Sequence, residues 1–360
     1  MVQLSAFALA AFLLGLYLIH NLRRPAVNLG LVDIPGGRKS HDGHVPLVGG
    51  VGIFAAFALS TLLLPQDLDT YRGLFFGMGI LLFAGVLDDL RDLRARGKLL
   101  VQILAALILV GWGGHVVGAL GHWPGIGLLE LGLLAGPFTL LCVVGFVNAV
   151  NMMDGVDGLA GGVVLVMLGW VVAAALLLGH PEKAVLPTIL AATVVSFLWF
   201  NFPHPWRRCA SVFMGDAGSL LLGFAVAWFA VDLVYTAGRT LSPFAVAWML
   251  ALPVFDALAL MARRLHKGQN PMAPDREHLH HIFQRAGFTV RGTVYILVTI
   301  VFLMGGIGMA GWWFGVPDWV MFLGLLLAFA GHLYFVLHAW RMVRVMRWLR
   351  SRRRAGYASR

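Results

Sequence analysis

The chain has 360 residues, of which 59% are hydrophobic and only 12% charged, with a mean hydropathy of +0.83. A soluble core cannot absorb so many apolar runs of about 20 residues, so a water-soluble domain is excluded and a polytopic membrane protein is implied. The net charge of +10 does not signal a nucleic-acid partner, because the basic residues follow the alternation of membrane loops.

Eleven spans are predicted, over 2–20, 47–64, 73–87, 99–117, 128–147, 159–179, 185–200, 219–236, 243–262, 293–314 and 319–340. Only the third is short, and it runs directly into Asp88. Arg23 and Arg24 follow the first apolar run instead of preceding it, as in an uncleaved first span that enters with its N-terminus outward. Cys142 lies in an apolar run and Cys209 in a polar loop, so no disulfide framework is expected.

The loops fall into two alternating sets. One set, comprising 21–46, 88–98, 148–158, 201–218, 263–292 and the end 341–360, holds 24 of the 27 Lys and Arg residues; Arg72, Lys183 and Arg239 lie in the other. The positive-inside rule makes the first set cytoplasmic, with the N-terminus outside and the C-terminus inside. The outer loops are mostly too short for a domain or a site. The chain thus reads as one all-α integral membrane domain over 1–340, followed by a basic cytoplasmic tail over 341–360. Arg352 to Arg354 in that tail are expected to meet anionic headgroups.

Candidate chemistry gathers on the inner side. Asn148, Asn151, Asp154 and Asp157 recur every third residue in N-A-V-N-M-M-D-G-V-D-G. On a helix end they would present amide and carboxylate oxygens along one side, a cluster suited to a hard cation. Gly155 and Gly158 loosen the backbone there, as a turn or close ligand approach requires. Asp88 and Asp89 close the third span. Adjacent on a helix, they point about 100° apart and cannot both grip one ion without unwinding, and a salt bridge to Arg91 or Lys98 is the competing reading for either. Asp216 sits in F-M-G-D-A-G-S, where it could cap the eighth span, although Gly215 and Gly218 also suit close approach to a phosphate.

The last inner loop carries D-R-E-H-L-H-H. His278, His280 and His281 lack the i, i+4 spacing of helical zinc pairs and have no cysteine nearby, so phosphate recognition with the surrounding arginines is favoured over zinc. Asp256, in the ninth span, would cost about 2.5–3.5 kcal/mol facing lipid at mid-depth. It is therefore expected to face the bundle or the inner boundary near Arg263, in a structural role. His115 and His332 read as packed or interfacial residues.

Five motifs in order, R-K-S-H-D-G-H-V-P-L-V-G-G (38–50), L-D-D-L (87–90), N-A-V-N-M-M-D-G-V-D-G-L (148–159), M-G-D-A-G-S (214–219) and D-R-E-H-L-H-H (275–281), resemble the polyprenyl-phosphate N-acetylhexosamine-1-phosphate transferase family. The resemblance covers nearly the whole chain, and its closest branch looks like the undecaprenyl-phosphate N-acetylglucosaminyl-1-phosphate transferases. The branch that uses UDP-MurNAc-pentapeptide typically has Pro-Thr-Met-Gly-Gly and three consecutive histidines; here those places read Pro46-Leu47-Val48-Gly49-Gly50 and His278-Leu279-His280-His281.

The resemblance implies that undecaprenyl phosphate attacks the β-phosphorus of UDP-GlcNAc, releasing UMP and starting a cell-surface polysaccharide such as O-antigen. It implies a multi-pass protein of the bacterial inner membrane with its active site on the cytoplasmic face. Mg²⁺, with Mn²⁺ as a substitute, is the expected ion. Asp216 is implied as its principal ligand, assisted by Asn151. Asp154 and Asp157 are placed near the diphosphate or nucleotide, and Asp88, with Asp89 beside it, near the lipid phosphate to position it or take its proton. Lys39, His41, Asn148, Arg264, Arg276 and the three histidines are placed around the anionic substrate. The polyprenyl tail would lie in a groove opening sideways near the third span. Membrane lipids are the expected surroundings, no nucleic-acid partner is expected, and a homodimer is compatible with the pattern. Within the family another UDP-HexNAc donor is the nearest alternative. A lipid-linked sugar transporter or flippase would call for polar residues at mid-membrane and matching halves, whereas the sequence has one isolated Asp256 and no internal repeat. A purely structural protein leaves the carboxylates unexplained.

Overall fold

The computed structural model describes residues 2–33, 44–64, 68–91, 93–235, 241–270 and 278–358. The apolar runs become helices, because in lipid a helix satisfies its own backbone groups. In chain order these are α1 (Val2–Asn28), α2 (Gly49–Leu62), α3 (Arg72–Arg91), α4 (Ala95–Leu107, prolonged by a π turn to Trp112), α5 (Ala135–Met153), α6 (Leu159–Leu178), α7 (Pro181–Asn201), α8 (Gly215–Tyr235), α9 (Pro243–His266), α10 (Leu279–Arg285), α11 (Val290–Trp313), α12 (Asp318–Leu337) and α13 (Ala339–Ala358). Among the described residues ten helices are long and apolar enough to cross a membrane. With the shorter α2 they account for the eleven expected spans, and the chain is an all-α polytopic membrane protein.

Several span boundaries differ from expectation. The third span is not the short one: α3 has 20 residues and carries Asp88 and Asp89 inside its last turn. The short helix is α2, with 14 residues, or about 21 Å at 1.5 Å per residue against a hydrocarbon core of about 30 Å. It starts late because Val45 and Pro46 are paired as extended chain with Asp33 and Val32 and the Leu47 N–H donates to the Leu31 carbonyl at 3.1 Å, and its own first N–H groups find outside acceptors. Gly49 N–H donates to the Phe213 carbonyl (3.0 Å) and Gly50 N–H to that of Met214 (3.1 Å). The fifth span also begins later than expected, at Ala135, because the preceding residues form an antiparallel hairpin of β3 (Ala119–Trp123) and β4 (Gly127–Glu130). A second, smaller pair, β1 (Val32–Asp33) with β2 (Val45–Pro46), lies at the other end.

Helix α8 is the centre of the bundle. It is apolar on every side, the pattern of a helix surrounded by protein, and 94% of its most apolar stretch is buried, against 11% for α12. It packs on α2, α3, α5 and α6. Small residues permit this approach, as is usual between membrane helices. A Cβ on Gly85 of α3 would meet the backbone of Ala217 and Asp216, one on Gly50 of α2 the backbone of Gly218, and one on Gly223 of α8 the Val147 Cα at 3.1 Å. Backbone therefore lies on backbone where α2, α3 and the start of α8 converge.

At the opposite end Asp232 of α8, a buried residue, pairs with Lys183 at 2.7 Å and lies 3.6 Å from His115. His115 packs edge-on against Trp228. These contacts tie α7, α8 and the segment after α4 together. The hairpin is fastened to α12 by the His122 N–H, which donates to Asp318 at 3.0 Å. A cavity of about 800 Å³ lies behind it, lined in part by Ser242, Trp312 and Asp318.

The close approach at Gly85 has a measurable consequence. Gly85→Ala should lower the melting temperature in detergent, since an added methyl in a filled contact costs about 1–3 kcal/mol. Gly79→Ala, on the same helix with its nearest neighbour, Phe54, at 3.9 Å, should leave it unchanged or raise it. Equal melting temperatures for the two variants would contradict the backbone contact.

Candidate active site

The start of α8 organises the site. A helix begins with N–H groups that lack partners, and here they are satisfied from another helix. Asp89 accepts from the N–H of Asp216 at 3.0 Å and from that of Ala217 at 3.4 Å. Gly215 just before them has φ 71, a left-handed turn in which a side chain would also collide with the Asp89 carboxylate. Because Asp89 does the capping, the Asp216 carboxylate is turned to other partners. Its Oδ2 accepts from Lys98 Nζ at 2.8 Å, and its Oδ1 accepts from Asn151 Nδ2 at 3.0 Å. Asn151 also donates to Ser219 Oγ at 2.8 Å.

Asp88 and Asp89 point apart, as adjacent helical residues do, and their neighbours divide the work between them. Asp88 pairs with Lys98 and accepts from the Leu93 N–H at 2.7 Å, closing the turn into α4. Lys98 thus bridges Asp88 and Asp216. The salt bridge of Asp88 to Lys98 expected from the sequence is present.

Helix α5 ends at Met153, so the three-residue repeat is only half helical. Asn148 and Asn151 share the last turns of α5, whereas Asp154 leaves the helix with φ −77 and ψ 50. The turn is pinned by Asn201 at the end of α7, whose Oδ1 accepts from the Gly158 N–H at 2.6 Å and whose Nδ2 donates to the Val212 carbonyl at 2.9 Å. Asp157 accepts from the Ala210 N–H at 3.4 Å. Asp154 faces the cluster: desolvation first, then the fields of Asp216, Asp89 and Asp157, push its carboxyl up to about 7. Asn148 lies one turn deeper, where it donates to Gln102 of α4 and to the Val144 carbonyl.

The histidines close the site from α10. His280 is buried and its ring lies against Gly155, where a Cβ would come 2.7 Å from Nε2. Burial first, then the neighbouring His281 and His278, hold it down at about 3, so it is a neutral imidazole at physiological pH. His281 packs on it with ring centroids 4.2 Å apart. His278 turns instead toward Asp256. Arg264 is buried in the last turn of α9. Lys39, His41 and Arg276 lie outside the described residues.

Asp88, Asp89, Asn151, Asp154 and Asp216 are therefore gathered around one helix start, with Asp157 and His280 alongside through the 154–158 turn. Lys98, Gln102 and Asn201 do not stand out in the sequence as site residues. The signal for the first two is an i, i+4 polar pair, hidden because α4 begins at Ala95 and so brings Lys98, which lies before the expected span, onto the same helix as Gln102. Asp88, Asp89, Asp154 and Asp216 lie together, with Lys98 between two of them, a concentration of carboxylates that is the electrostatic setting for a divalent ion. Among the described residues no three His, Cys, Asp or Glu side chains make a ready cage. That donor set fits Mg²⁺, which takes one or two carboxylates and completes its shell with water and substrate phosphates.

Residues 71–234, from α3 through α8, match the family described as glycosyl transferase family 4. The undecaprenyl-phosphate alpha-N-acetylglucosaminyl 1-phosphate transferase of Yersinia pestis is 35% identical, over 99% of this chain and 98% of its own length. The protein of the same name from Salmonella typhi is 35% identical over 96% and 94%, and that from Escherichia coli O157:H7 32% identical over 98% and 96%. With likeness over essentially its full length, the chain belongs to glycosyl transferase family 4.

Proposed function

We propose that the protein transfers GlcNAc-1-phosphate from UDP-GlcNAc to undecaprenyl phosphate at the cytoplasmic face of a bacterial inner membrane. The products are undecaprenyl-diphospho-GlcNAc and UMP, the opening step of a cell-surface glycan. The observation that carries this reading is the convergence of Asp88, Asn151, Asp154 and Asp216 with Lys98 at one end of a membrane bundle, in a chain matched along its length by transferases of that activity.

The reaction joins two anions. An oxygen of the lipid phosphate forms a bond to the β-phosphorus of the donor, while the bond from that phosphorus to the oxygen bridging to the α-phosphate breaks and that oxygen leaves, with the electron pair, as part of UMP. The residues must hold two like charges together and stabilise the charge that builds on the leaving phosphate, work done mainly by positioning and electrostatics. Lys98, between Asp88 and Asp216, offsets charge at the meeting point. Asp88 positions the lipid phosphate and takes any remaining proton, a small demand because a phosphate monoester is largely ionised at neutral pH. Asp216, with Asn151, would hold Mg²⁺, which when bound supplies Lewis-acid stabilisation of the phosphate oxygens. Asp89 keeps Asp216 in place by capping α8. Asp154 and Asp157 on the pinned turn face the donor's diphosphate or nucleotide. Neutral His280 beside Gly155 offers a hydrogen bond without adding charge.

Purified protein with undecaprenyl phosphate and Mg²⁺ should turn over UDP-GlcNAc, giving lipid product and UMP in equal amounts, and should refuse UDP-MurNAc-pentapeptide. Comparable turnover of both donors, or preference for UDP-GalNAc, would refute the donor assignment.

Asp216→Asn keeps the side chain's size and should lower turnover by about 10²-fold or more, the scale of one strong electrostatic contribution to a transition state, in a protein that still folds. Asp88→Asn should lower turnover while leaving the Mg²⁺ concentration for half-activity nearly unchanged. A folded Asp216→Asn protein with a near-normal rate and unaltered Mg²⁺ response would remove Asp216 from the metal site.

The charge distribution predicts that a cytosol-dependent reporter is active when fused after Arg360 and silent within 65–72 or 180–184. Activity in the reverse pattern would overturn the orientation.

A further inference from the structure

The buried carboxylate of Asp256 has no part in the mechanism above, yet it joins three helices. It is 3% exposed and sits on α9, ten residues before that helix ends. Its Oδ2 lies 3.0 Å from His278 Nδ1. Its Oδ1 accepts from the Leu279 N–H at 3.0 Å and lies 3.7 Å from His332 Nε2 of α12. Helix α10 has no cap of its own, since the His278 side chain makes no capping hydrogen bond, and Asp256 supplies the missing acceptor from a different helix. The far end of α10 is held as well: Arg347 of α13 donates to the Arg285 carbonyl through Nε at 3.1 Å and through its guanidinium NH2 group at 2.5 Å.

We infer that Asp256 is a positioning residue for the reaction, holding His278 as the Nδ1–H tautomer and, through it, the histidine stack that faces the 154–158 turn. An ionised carboxylate only accepts hydrogen bonds, so the proton shared with it belongs to His278 Nδ1. In a neutral ring Nε2 is then left as the acceptor, the tautomer being set by the bond the other nitrogen makes. The rings of His278 and His280 lie parallel, 5.4 Å apart with an interplanar angle of 6°, so fixing one constrains the other. His280 in turn rests on Gly155, next to Asp154. The line from Asp256 through His278 and His280 to the turn connects a carboxylate inside the bundle with the donor side of the site. The inference rests on the reading that the α10 histidines serve the anionic substrate.

Asp256→Asn isolates the effect. The amide oxygen can still accept from Leu279 N–H, while the amide nitrogen now donates to His278 Nδ1 and drives the ring to the Nε2–H tautomer. Histidine-selective ¹⁵N spectra of the full-length protein, with His278 assigned by its loss in His278→Ala, should show Nδ1–H in the unaltered protein and Nε2–H in Asp256→Asn. Turnover of UDP-GlcNAc should fall by about 10–100-fold, the range for partners that orient a functional imidazole. The double variant Asp256→Asn/His278→Ala should be no slower than His278→Ala alone, because residues acting as a unit are not additive. Multiplying effects in the double variant, or unchanged turnover in Asp256→Asn, would overturn the inference. Should Asp256→Asn fail to fold, the spectrum of the unaltered protein decides: Nε2–H at His278 overturns it and Nδ1–H supports it. His278→Ala with a normal rate would instead strike the reading of the histidines as substrate groups, which the tautomer measurement does not depend on.

Discussion

The first turn of α8 is held by a carboxylate that belongs to another helix, and the site depends on that arrangement. Free N–H groups at a helix start attract anions. Capping by the neighbouring Asp216 itself would take up its carboxylate. Asp89 reaches across from α3 and takes both N–H groups, so Asp216 is free to meet Lys98 and Asn151. The reach is short only because Gly85 lets α3 lie directly on the backbone of Ala217. Glycine packing inside the bundle thus sets the position of a carboxylate at its edge.

The same logic of help from elsewhere in the chain recurs around the site. Asn201 pins the turn that carries Asp154 and Asp157, the 213–214 carbonyls start α2, and Asp256 starts α10. Each is a polar group whose partner lies on a different segment. Where water is scarce an unsatisfied backbone group is costly, so every helix end that opens toward the site needs a specific partner. Those partners also fix the geometry. Lys98 extends the pattern to charge, standing between Asp88 and Asp216.

The orientation of the histidines illustrates how far a site extends beyond the atoms that touch substrate. His280 is neutral and packed on Gly155, and His278 is turned away toward α9. Histidines separated by one and two residues therefore serve different neighbours, which the compact motif does not disclose. The tail helix α13 belongs to the same assembly through Arg347, although its composition reads only as a basic membrane-surface segment.

The sequence by itself determined what depends on local composition and short spacing. Apolar runs of span length, the alternation of basic loops and the five motifs pointed to a polytopic membrane transferase and its family, and picked out carboxylates at the ends of the spans. It also anticipated that Asp88 and Asp89 point apart, since that follows from the helical angle between adjacent residues. Only the tertiary structure decided which carboxylate caps, which pairs and which stays available. Lys98 and Asp216 are 118 residues apart, and Asp89 and Asp216 are 127 apart. No periodicity within a span records which face of one helix meets which turn of another. The shortening of α2, the exit of Asp154 from α5 and the burial of Asp256 against His278 and His332 follow from the same cause. Each is settled by a hydrogen bond or a close backbone contact to a distant segment, and such a contact exists only once the helices have packed.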